Sequence, residues 1–478
     1  MVNFPYMNDK TQLAIIGGGP GGYAAAFLAA DLGLEVTLVD LEPNPGGVCL
    51  YRGCIPSKAL LHAAKVLTEA REAEHFGVTF GKPKIDVAKL REWKQGVVNQ
   101  MTGGLGQLSR ARKITYIEGR ATFIDARTLQ IETAGGETGK MQFENAILAT
   151  GSLPAAIPAF EIGSERVWNS TGALELKNVP KNLLVVGGGY IGLELGTVYA
   201  ALGSAVSVVE MTSTLLPGAD RDLVNILAKR VGKMFHNVML ETKVVSMKEG
   251  KNGIRVTFEG EAAIEKEQVF ENVLIAVGRT PNSKNLGLEN TKIQLDKRGF
   301  VPVDQQRRTV EPSIFAIGDI AGDPMLAHKA SHEGRLAVEV IAGHKAVWEP
   351  RAIPAVVFTD PEIAWCGLTE GEAQKAGIAV EVARFPWAAS GRATTLDRPE
   401  GVTKILVDPE SKRVLGIGIC GSGAGELIAE GVLAIEMGAV ADDLKLSIHP
   451  HPTLSETVME SAEVLFGQAT HVYRPAKK

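Results

Sequence analysis

The residues with the clearest chemical potential are two cysteines in the stretch GGVCLYRGCIPSK. Cys49 and Cys54 have four residues between them, and glycines precede both. A close cysteine pair can form a structural disulfide, half of a metal site or a redox-active dithiol. The composition of the chain separates these three interpretations.

The rest of the chain offers too few cysteines for the first two. Four cysteines in 478 residues do not make a secreted disulfide framework, and a chain of this length buries a core without covalent cross-links. A structural zinc site usually takes four ligands, often from two C-x2-C pairs, but Cys366 and Cys420 are isolated. The pattern therefore favours a reversible dithiol and no metal site, and such a dithiol suits a reducing cytosol.

A second group with catalytic potential lies near the C-terminus, in HPHPTLSE. Prolines on both sides of His451 stiffen the chain around its ring, and an imidazole can take a thiol proton near neutral pH. Glu456 would orient and polarise that ring. The spacing Thr453-x-x-Glu456 also predicts a capping box that opens a helix, and one carboxylate has oxygens for both roles. His449 is the weaker candidate for the base.

The position of Cys54 follows from the residues after it. Pro56 and the helical run SKALL place Cys54 close to a helix N-terminus, where the helix dipole favours a thiolate. Lys58 follows four residues later and is expected on the same side of that helix. On this pattern alone, a lysine that points into solvent is an equally good interpretation.

One fingerprint occurs twice: an apolar run, G-x-G-x-x-G, a helical Ala/Leu pattern and a second run that ends in an acid. The members are Gly17, Gly19, Gly22 and Asp40 in the first copy, and Gly187, Gly189, Gly192 and Glu210 in the second. From the first glycine to the acid is 23 residues in both copies. Glycine-rich turns of an ordinary α/β sheet are the alternative, but the full pattern at one spacing predicts two dinucleotide-binding βαβ units.

The composition bounds the remaining possibilities. The length predicts about three domains of ~150 residues, and a net charge of −5 argues against a nucleic-acid binder. Thr11 to Ala30 carries no charge over twenty residues, long enough to imitate a membrane span. The run GGGPGG inside it would break a spanning helix, so we expect no insertion into a membrane.

Two nucleotide-binding units and one dithiol favour an electron relay. A flavin can bridge the hydride chemistry of a nicotinamide and the two-electron chemistry of a disulfide. A carboxylate at Glu210 would repel a 2′-phosphate, and the Met-Thr-Ser-Thr that follows contains no arginine to receive one. The second unit is therefore expected to bind NAD and not NADP.

Taken in order, GGVCLYRGCIPSKALLH, the paired fingerprints, FAIGDIAGDPMLAHKA and HPHPTLSET make the chain similar to the dihydrolipoamide dehydrogenases. These are FAD-dependent pyridine nucleotide–disulfide oxidoreductases, and the resemblance runs from about residue 10 to about residue 465. It implies tightly bound, non-covalent FAD at the first fingerprint and NAD at the second. It also implies that Cys49 exchanges with a dithiol substrate and that Cys54 faces the flavin. Finally, it implies a homodimer in which His451 of one subunit serves the cysteines of the other.

The resemblance also implies roles for residues outside the motifs. It pairs Lys58 with Glu194 beside the flavin, although a glutamate in a first helical turn has the helix dipole as a simpler explanation. It gives Asp319 the ribityl hydroxyls of FAD and places the backbone near Met325 to Ala327 by the isoalloxazine. It suggests a cis peptide before Pro452. Strand ends that lead into ligand loops are expected at Gly151, Gly278 and Arg279.

The expected fold is α/β, with two Rossmann-like dinucleotide-binding domains and a C-terminal α+β dimerisation domain. Residues 1–150 are predicted to form the FAD domain and residues 151–281 the NAD domain. Residues 282–352 would return to complete the flavin site, and residues 353–478 would form the dimer interface. The helical stretch KLREWKQGVVNQMTGGLGQLSR has no role that follows from its sequence.

The activity that the resemblance implies is oxidation of protein-bound dihydrolipoamide by NAD+. The partners would be lipoyl domains and the acyltransferase core of a 2-oxo acid dehydrogenase complex, or the glycine cleavage system, in the cytoplasm. No lipoyl-type domain precedes Met1, so a detached subunit is expected. Reduction of glutathione or mercuric ion is the enzymatic alternative, although mercuric reduction usually adds a C-terminal cysteine pair. A regulatory subunit that has lost its chemistry is the non-enzymatic one.

One departure from the resemblance stands between the cysteines. Tyr51 and Arg52 occupy positions where relatives often carry a smaller or uncharged pair. An arginine there could stabilise a thiolate, alter substrate docking or point into solvent.

Overall fold

The computed structural model describes residues 9–263 and 265–473. Its strands are β1 (Lys10–Ile16), β2 (Val36–Asp40), β3 (Thr115–Asp125), β4 (Thr128–Thr133), β5 (Thr138–Leu148), β6 (Ser152–Pro154), β7 (Val167–Trp168), β8 (Asn182–Val186), β9 (Ala205–Val209), β10 (Asn237–Met239), β11 (Lys243–Gly250), β12 (Gly253–Glu259), β13 (Glu267–Phe270), β14 (Asn272–Ile275), β15 (Arg279–Pro281), β16 (Ile314–Ala316), β17 (Ala355–Val357), β18 (Glu362–Gly367), β19 (Glu381–Pro386), β20 (Val402–Val407) and β21 (Val414–Gly421).

The α-helices of the described residues are distributed through all parts of the chain. They are α1 (Pro20–Asp31), α2 (Gly47–Arg52), α3 (Cys54–Glu72), α4 (Val87–Ala111), α5 (Ser170–Glu175), α6 (Tyr190–Leu202), α7 (Arg221–Met234), α8 (Ala327–Ile341), α9 (Glu370–Ala376), α10 (Gly391–Thr395), α11 (Ala424–Met437), α12 (Ala441–Leu446) and α13 (Glu456–Leu465). None of these helices is both long and apolar enough to cross a membrane.

The first unit is built on parallel pairs between β1 and β2, β1 and β5, and β5 and β16. Strand β16 comes from residues 314–316, far along the chain from the others. Strand β4 runs antiparallel to both β3 and β5. Helices α1 and α8 pack against each other, and apolar side chains of both are buried beneath the sheet in one cluster.

The second unit repeats the design with five parallel strands in the order β10-β9-β8-β14-β7. A three-stranded antiparallel sheet, β11-β12-β13, lies beside it. The short pair β6–β15 joins the two units at the points where the chain passes between them. The C-terminal part is an antiparallel sheet, β17-β18-β21-β20-β19, packed with α11 and α13. The predicted fold class is therefore confirmed.

The predicted domain boundaries fall between elements and not inside them. Residue 150 lies between β5 and β6, residue 281 ends β15, and residue 352 precedes β17. The return of β16 to the first sheet supports the expectation for residues 282–352. The assignment of each unit to one nucleotide stays a prediction at this stage.

The three parts share buried surfaces. One apolar cluster contains Leu60 from α3, Val185 from β8 and Ile363 from β18. Charged contacts cross the same junction, where Arg230 of α7 pairs with Glu72 of α3 and, at 3.0 Å, with Asp360. Burial of apolar area across the junction, at about 25 cal/mol per Å2, fixes the units to one another.

Helix α4 is the stretch for which the sequence suggested no role. Asp86 precedes it and accepts hydrogen bonds from the backbone N–H groups of Ala88 and Lys89, both at 3.1 Å, as an N-cap residue does. The helix passes so close to Asn44 that a Cβ on Gly106 would lie 1.9 Å from the Asn44 Oδ1 atom. Helix α4 therefore supports the loop that leads into the two cysteines.

Candidate active site

The two cysteines lie on consecutive helices, α2 and α3. Cys49 is in α2, and Cys54 is the first residue of α3, at the N-terminus where the sequence placed it. Both sulfurs are free, so the structure represents the reduced dithiol. Cys366 and Cys420 are buried in the C-terminal sheet, where burial raises the pKa of both thiols. Those two are inert packing residues, as isolated buried thiols are.

The two neighbouring thiols are not equivalent. The Cys49 thiol donates a hydrogen bond to Cys54, and this bond together with the charge of the Lys58 ammonium lowers the pKa of Cys54 to about 7. The same hydrogen bond, together with burial, raises the pKa of Cys49. Cys54 is therefore the sulfur that carries the negative charge in the reduced pair.

Lys58 is fixed by a carboxylate from the second unit. Its Nζ lies 2.7 Å from the Oε2 atom of Glu194 in α6, and Ser57 Oγ donates to the same oxygen at 3.2 Å. The other oxygen of Glu194 accepts the backbone N–H of Phe358 at 3.0 Å. Glu194 is buried, and these partners offset the cost of burying its charge. The structure brings the two predicted residues together and rules out the solvated lysine.

A cavity of about 320 Å3 opens beside this pair. The predicted residues that line it are Gly17, Gly19, Asp40, Cys49, Cys54, Lys58, Gly151, Glu194, Arg279, Asp319 and Ala327. Gly22, Gly187, Gly189, Gly192, Glu210, Gly278, His451 and Glu456 are not among its lining residues. The first fingerprint, the cysteines and the Asp319 segment thus surround one elongated site.

The glycines of the fingerprints have the geometry that a close nucleotide needs. Gly17 has φ +105° and Gly187 has φ +108°, both in the region that L side chains rarely adopt. A Cβ on Gly22 would lie 1.8 Å from the carbonyl oxygen of Gly17, and one on Gly192 would lie 2.3 Å from that of Gly187. These glycines let the helix pack on the turn. The two loops are structurally alike, which supports two nucleotide sites.

The middle glycines have a different reason to be small. A Cβ on Gly189 would meet nothing within 4 Å, and one on Gly19 would come no closer than 3.9 Å to any atom of the protein. Their small size is therefore not required by the protein itself. It fits a ligand that approaches the backbone at the N-termini of α1 and α6.

Each fingerprint acid is bonded to its own glycine loop. Asp40 Oδ2 accepts the N–H of Gly18 at 2.5 Å, and Glu210 Oε2 accepts that of Gly188 at 2.7 Å. Burial raises the pKa of Asp40, opposed by the Gly18 N–H and by the charge of Arg52. The structure shows that both acids hold their glycine loops in shape.

Asp319 takes part in a chain of contacts that the sequence did not reveal. Its Oδ2 atom accepts a hydrogen bond from Ser152 Oγ. Arg279 Nε donates to the same hydroxyl at 2.7 Å, and its Nη2 donates to the Ser152 carbonyl at 2.6 Å. Gly278 lies just outside the cavity, and its carbonyl oxygen accepts the N–H of Ala155 at 2.9 Å. Ser152 was missed because nothing in its local sequence marks it.

Beneath Asp319 lies a buried charged cluster, also missed. Glu333 is fully buried, and its Oε2 accepts the N–H of Gly318 at 2.6 Å. Arg307 Nη1 and Lys329 Nζ each lie 3.1 Å from its other oxygen. The signal available in the sequence was only that a lysine and a glutamate stand four apart in a helix. The cluster fixes the turn that presents Asp319 to the cavity.

His451 and Glu456 form a separate, exposed pair. His451 Nδ1 lies 2.8 Å from Glu456 Oε1, and the histidine side chain is 74% exposed. The peptide between His451 and Pro452 is cis, as predicted. By contrast, the side chain of His449 is only 8% exposed and lies 2.8 Å from Glu430. Of the two histidines, His451 is the one free to meet another molecule.

The predicted capping box at Thr453 is wrong in part. Helix α13 begins at Glu456, directly after Ser455. Glu456 Oε2 does accept the backbone N–H of Thr453 at 2.7 Å, but the hydroxyl of Thr453 donates to the carbonyl oxygen of Pro450. Glu456 therefore serves the ring and the turn with one oxygen each, while the threonine closes the turn instead of the helix.

The structure shows a specific contact for both Tyr51 and Arg52, the two residues that depart from the resemblance. The Tyr51 hydroxyl donates to the carbonyl oxygen of Asn44 at 3.0 Å. Arg52 forms an ion pair with Glu42 on the cavity wall. It is therefore not a simple solvent-facing residue, and the cation that favours the Cys54 thiolate is Lys58.

Among the described residues, one acidic group has the spacing of metal ligands: Asp220, Asp222 and Glu370. Lys404 already lies between them, with its Nζ at 2.6, 2.9 and 2.7 Å from the three carboxylates. The lysine is 1% exposed. The group is therefore a half-buried ion-pair cluster around the buried Lys404, between the second unit and the C-terminal part.

The family of the chain follows from comparison with known sequences. Residues 11–334 match the family described as pyridine nucleotide-disulphide oxidoreductase, and residues 353–462 match its dimerisation domain. The chain belongs to this family. Pyridine nucleotide-disulphide oxidoreductases with similar sequences include the dihydrolipoyl dehydrogenase of Haemophilus influenzae, 50% identical over 96% of both chains. That of Haloferax volcanii is 46% identical over 96% of this chain and 97% of the other.

Solved structures of the family agree with the fold. The chain is similar to LpdA from Mycobacterium tuberculosis, with a TM-score of 0.88 and 27% identity over 95% of this chain and 99% of the other. It is also similar to the HOCl-induced flavoprotein disulfide reductase RclA from Escherichia coli, with a TM-score of 0.84 and 28% identity over 95% and 99%. The fold is therefore that of the flavoprotein disulfide reductases.

Proposed function

We propose that the protein is a dihydrolipoyl dehydrogenase, which oxidises dihydrolipoamide to lipoamide with NAD+ as the acceptor and FAD as the cofactor. The observation that supports this best is the asymmetric thiol pair at the wall of the cavity. Cys54 has a pKa of about 7 beside Lys58, and Cys49 is protonated and hydrogen-bonded to it. Relatives that cover nearly the whole chain are named dihydrolipoyl dehydrogenase.

The residues present fit both nucleotides. The turn at Gly17 and Gly19, with Asp40 beyond it, would hold the adenosine diphosphate half of FAD at the N-terminus of α1. Asp319 and the backbone near Ala327 would hold the other half, next to the cysteines. The equivalent turn at the N-terminus of α6 would hold NAD, with Gly187, Gly189, Gly192 and Glu210 in the corresponding roles.

The dithiol exchange needs one base and two sulfurs. In the oxidised enzyme, His451 of the partner subunit takes a proton from a substrate thiol, and the thiolate attacks Cys49. The Cys49–Cys54 bond breaks, and Cys54 leaves as a thiolate stabilised by Lys58. The second substrate thiol loses its proton and attacks the mixed disulfide, so lipoamide departs and two electrons remain on the enzyme dithiol.

The electrons then leave from the Cys54 side. Bound FAD supplies the two-electron link between the dithiol and NAD+. The protein's part is to keep Cys54 ionised and in place: Lys58 supplies the positive charge, and Glu194 fixes that lysine at 2.7 Å. Gly189 and Glu210 would position NAD+ from the other side, and the carboxylate disfavours a 2′-phosphate.

The site is completed by a second copy of the chain in this proposal. His451 does not line the cavity, is exposed, and lies in the region that matches the dimerisation domain. Large apolar side chains are exposed nearby, including Leu446 at 73% and Ile448 at 98%. Exposed apolar surface of this kind marks protein contacts, which supports a homodimer that brings His451 to the partner's cysteines.

The substrate would be carried by other proteins. Lipoyl domains, together with the acyltransferase core of a 2-oxo acid dehydrogenase complex or the glycine cleavage system, are the partners that this activity implies. A cytoplasmic location belongs to the same proposal.

Dihydrolipoamide-dependent reduction of NAD+ by the purified flavoprotein, followed by nicotinamide absorbance, tests the function directly. Fast turnover with dihydrolipoamide, and none with oxidised glutathione plus NADPH, is expected. A protein that holds flavin but reduces neither NAD+ with dihydrolipoamide nor lipoamide with NADH would overturn the proposal. Activity with oxidised glutathione or mercuric ion instead would favour the alternatives raised by the sequence.

A further inference from the structure

Arg52 stands between the redox cysteines in the chain, yet its side chain pairs with a carboxylate and not with a sulfur. It is the last residue of α2, and its guanidinium pairs with the carboxylate of Glu42. Glu42 follows the fingerprint acid Asp40 by two residues, and its N–H donates to Asp40 Oδ1 at 2.9 Å. The three residues therefore lie together at one end of the cavity.

Without Arg52, the end of the cavity formed by Asp40 and Glu42 would carry only negative charge. Three cations line the cavity among the described residues: Arg52, Lys58 and Arg279. Lys58 is bonded to Glu194, and Arg279 is bonded to Ser152. Neither Lys58 nor Arg279 is bonded to the acids at the end of β2. Two carboxylates, Asp40 and Glu42, thus have one arginine to offset them.

We propose that Arg52 is a binding residue for the adenosine diphosphate half of FAD, and that Glu42 holds its guanidinium in position while the nucleotide is absent. The inference rests on the proposed placement of that half at the first fingerprint. A pyrophosphate carries two negative charges and would be repelled by Asp40 and Glu42. Arginine suits this task because its planar guanidinium stays charged and can donate to phosphate and carboxylate oxygens at once.

The Arg52–Glu42 ion pair is only partly buried. The Arg52 side chain is 37% exposed and that of Glu42 is 21% exposed. An ion pair at this exposure contributes little to stability. The guanidinium can therefore turn towards an anion without a large cost. The backbone of Glu42 is fixed independently, because its carbonyl oxygen accepts the Tyr116 hydroxyl at 2.7 Å.

The test compares FAD affinity in two variants that remove opposite members of the pair. Arg52→Gln removes a charge-assisted contact at a partly exposed site. It should therefore weaken FAD binding about tenfold. Glu42→Gln should leave the affinity unchanged or increase it, because it frees the arginine and removes a repelling charge. Arg255→Gln is the charge-matched control, since Arg255 pairs with Glu267 on an exposed hairpin of the second unit.

The measurement is release of FAD from each holoenzyme on dilution, followed by the rise in free flavin fluorescence. Displacement of FAD by ADP is measured in parallel, since ADP carries only the half that Arg52 is proposed to bind. In Arg52→Gln, ADP affinity should fall by the same factor as FAD affinity. High salt should shrink the difference from the unsubstituted protein.

Three outcomes would overturn the inference. The first is equal weakening in Arg52→Gln and Glu42→Gln, because the pair would then act only as a structural contact. The second is unchanged FAD and ADP affinity in Arg52→Gln. The third is a loss of FAD affinity with ADP unaffected. An unsubstituted protein that binds no FAD would instead refute the proposed function, so the two failures are distinguishable.

Discussion

Lys58 Nζ lies 2.7 Å from Glu194 Oε2, although the two residues are 136 positions apart. The contact joins the helix that begins at Cys54 to the helix that begins at the second glycine fingerprint. It therefore connects the dithiol with the unit proposed to bind NAD. Because the carboxylate is buried and the lysine is its cation, the pair fixes the charge next to the thiolate.

The two members of this pair act on Cys54 in opposite directions. Lys58→Met removes the positive charge and should raise the pKa of Cys54 above its value of about 7. Glu194→Gln removes a negative charge and should lower that pKa further. The measurement is the pH dependence of iodoacetamide alkylation of Cys54 in the reduced enzyme, with the modified peptide identified by mass.

Lys65→Met provides the control for that experiment. Lys65 is on the same helix, is 52% exposed and pairs only loosely with Glu69, at 3.8 Å. Its removal should leave the alkylation midpoint unchanged. If Lys58→Met and Glu194→Gln shift the midpoint in the same direction, the charge argument fails and the pair acts by structure alone.

Cys54→Ser should bind FAD yet lose turnover with dihydrolipoamide, because a hydroxyl can neither form the disulfide nor carry the thiolate charge. Flavin absorbance gives the cofactor content, and NAD+ reduction gives the activity. Cys366→Ala, at a buried thiol remote from the site, should keep full activity and lose about 1 kcal/mol of stability. Substantial dithiol turnover in Cys54→Ser would contradict the assignment.

His451→Gln should reduce dihydrolipoamide oxidation by about 10²- to 10⁴-fold, the usual contribution of a general base, while NADH still reduces the flavin. Stopped-flow absorbance separates the two half-reactions. His449→Gln is the control, because His449 is buried against Glu430. His449→Gln should lower the stability of the protein and leave the rate of the chemical step unchanged.

A hybrid dimer tests whether His451 serves the partner subunit. One chain carries Cys54→Ser and the other His451→Gln, with different affinity tags for purification. If the histidine acts across the interface, one of the two sites is intact and the hybrid keeps about half the activity of the unsubstituted dimer. Inactivity of the hybrid would show that each subunit uses its own histidine.

Two glycines of the second fingerprint should respond differently to alanine. Gly189→Ala should fold normally, because a Cβ there meets nothing within 4 Å, but it should raise the KM for NADH by obstructing a close nucleotide. Gly192→Ala should destabilise the protein by about 1–3 kcal/mol, the usual cost of overpacking, because its Cβ would lie 2.3 Å from the Gly187 carbonyl oxygen.

Thermal unfolding and NADH titrations of flavin reduction measure the two effects. FAD content should stay complete in Gly189→Ala, since the first fingerprint is untouched. If the KM for NADH does not change in Gly189→Ala, the second fingerprint does not bind the nucleotide.

The features that the sequence revealed are those set by local rules. The turn at Gly17 and its copy at Gly187 depend on a backbone conformation that glycine permits, so their spacing is readable from the chain. Cys54 starts a helix because of the residues that follow it directly. Each of these structures is decided within a few residues.

What only the tertiary structure decided are contacts between distant segments. The Ser152–Asp319 hydrogen bond spans 167 positions, and nothing in the sequence relates its two members. The Lys58–Glu194 hydrogen bond spans 136 positions, and only the family resemblance, not any sequence pattern, had paired these two residues. The direction of the Arg52 side chain was likewise open until β2 and α2 were packed together. The sequence determined the two glycine turns, the cysteine pair and the histidine motif. Packing of the units decided which side chains meet, because such contacts depend on side-chain direction and burial and not on neighbours along the chain.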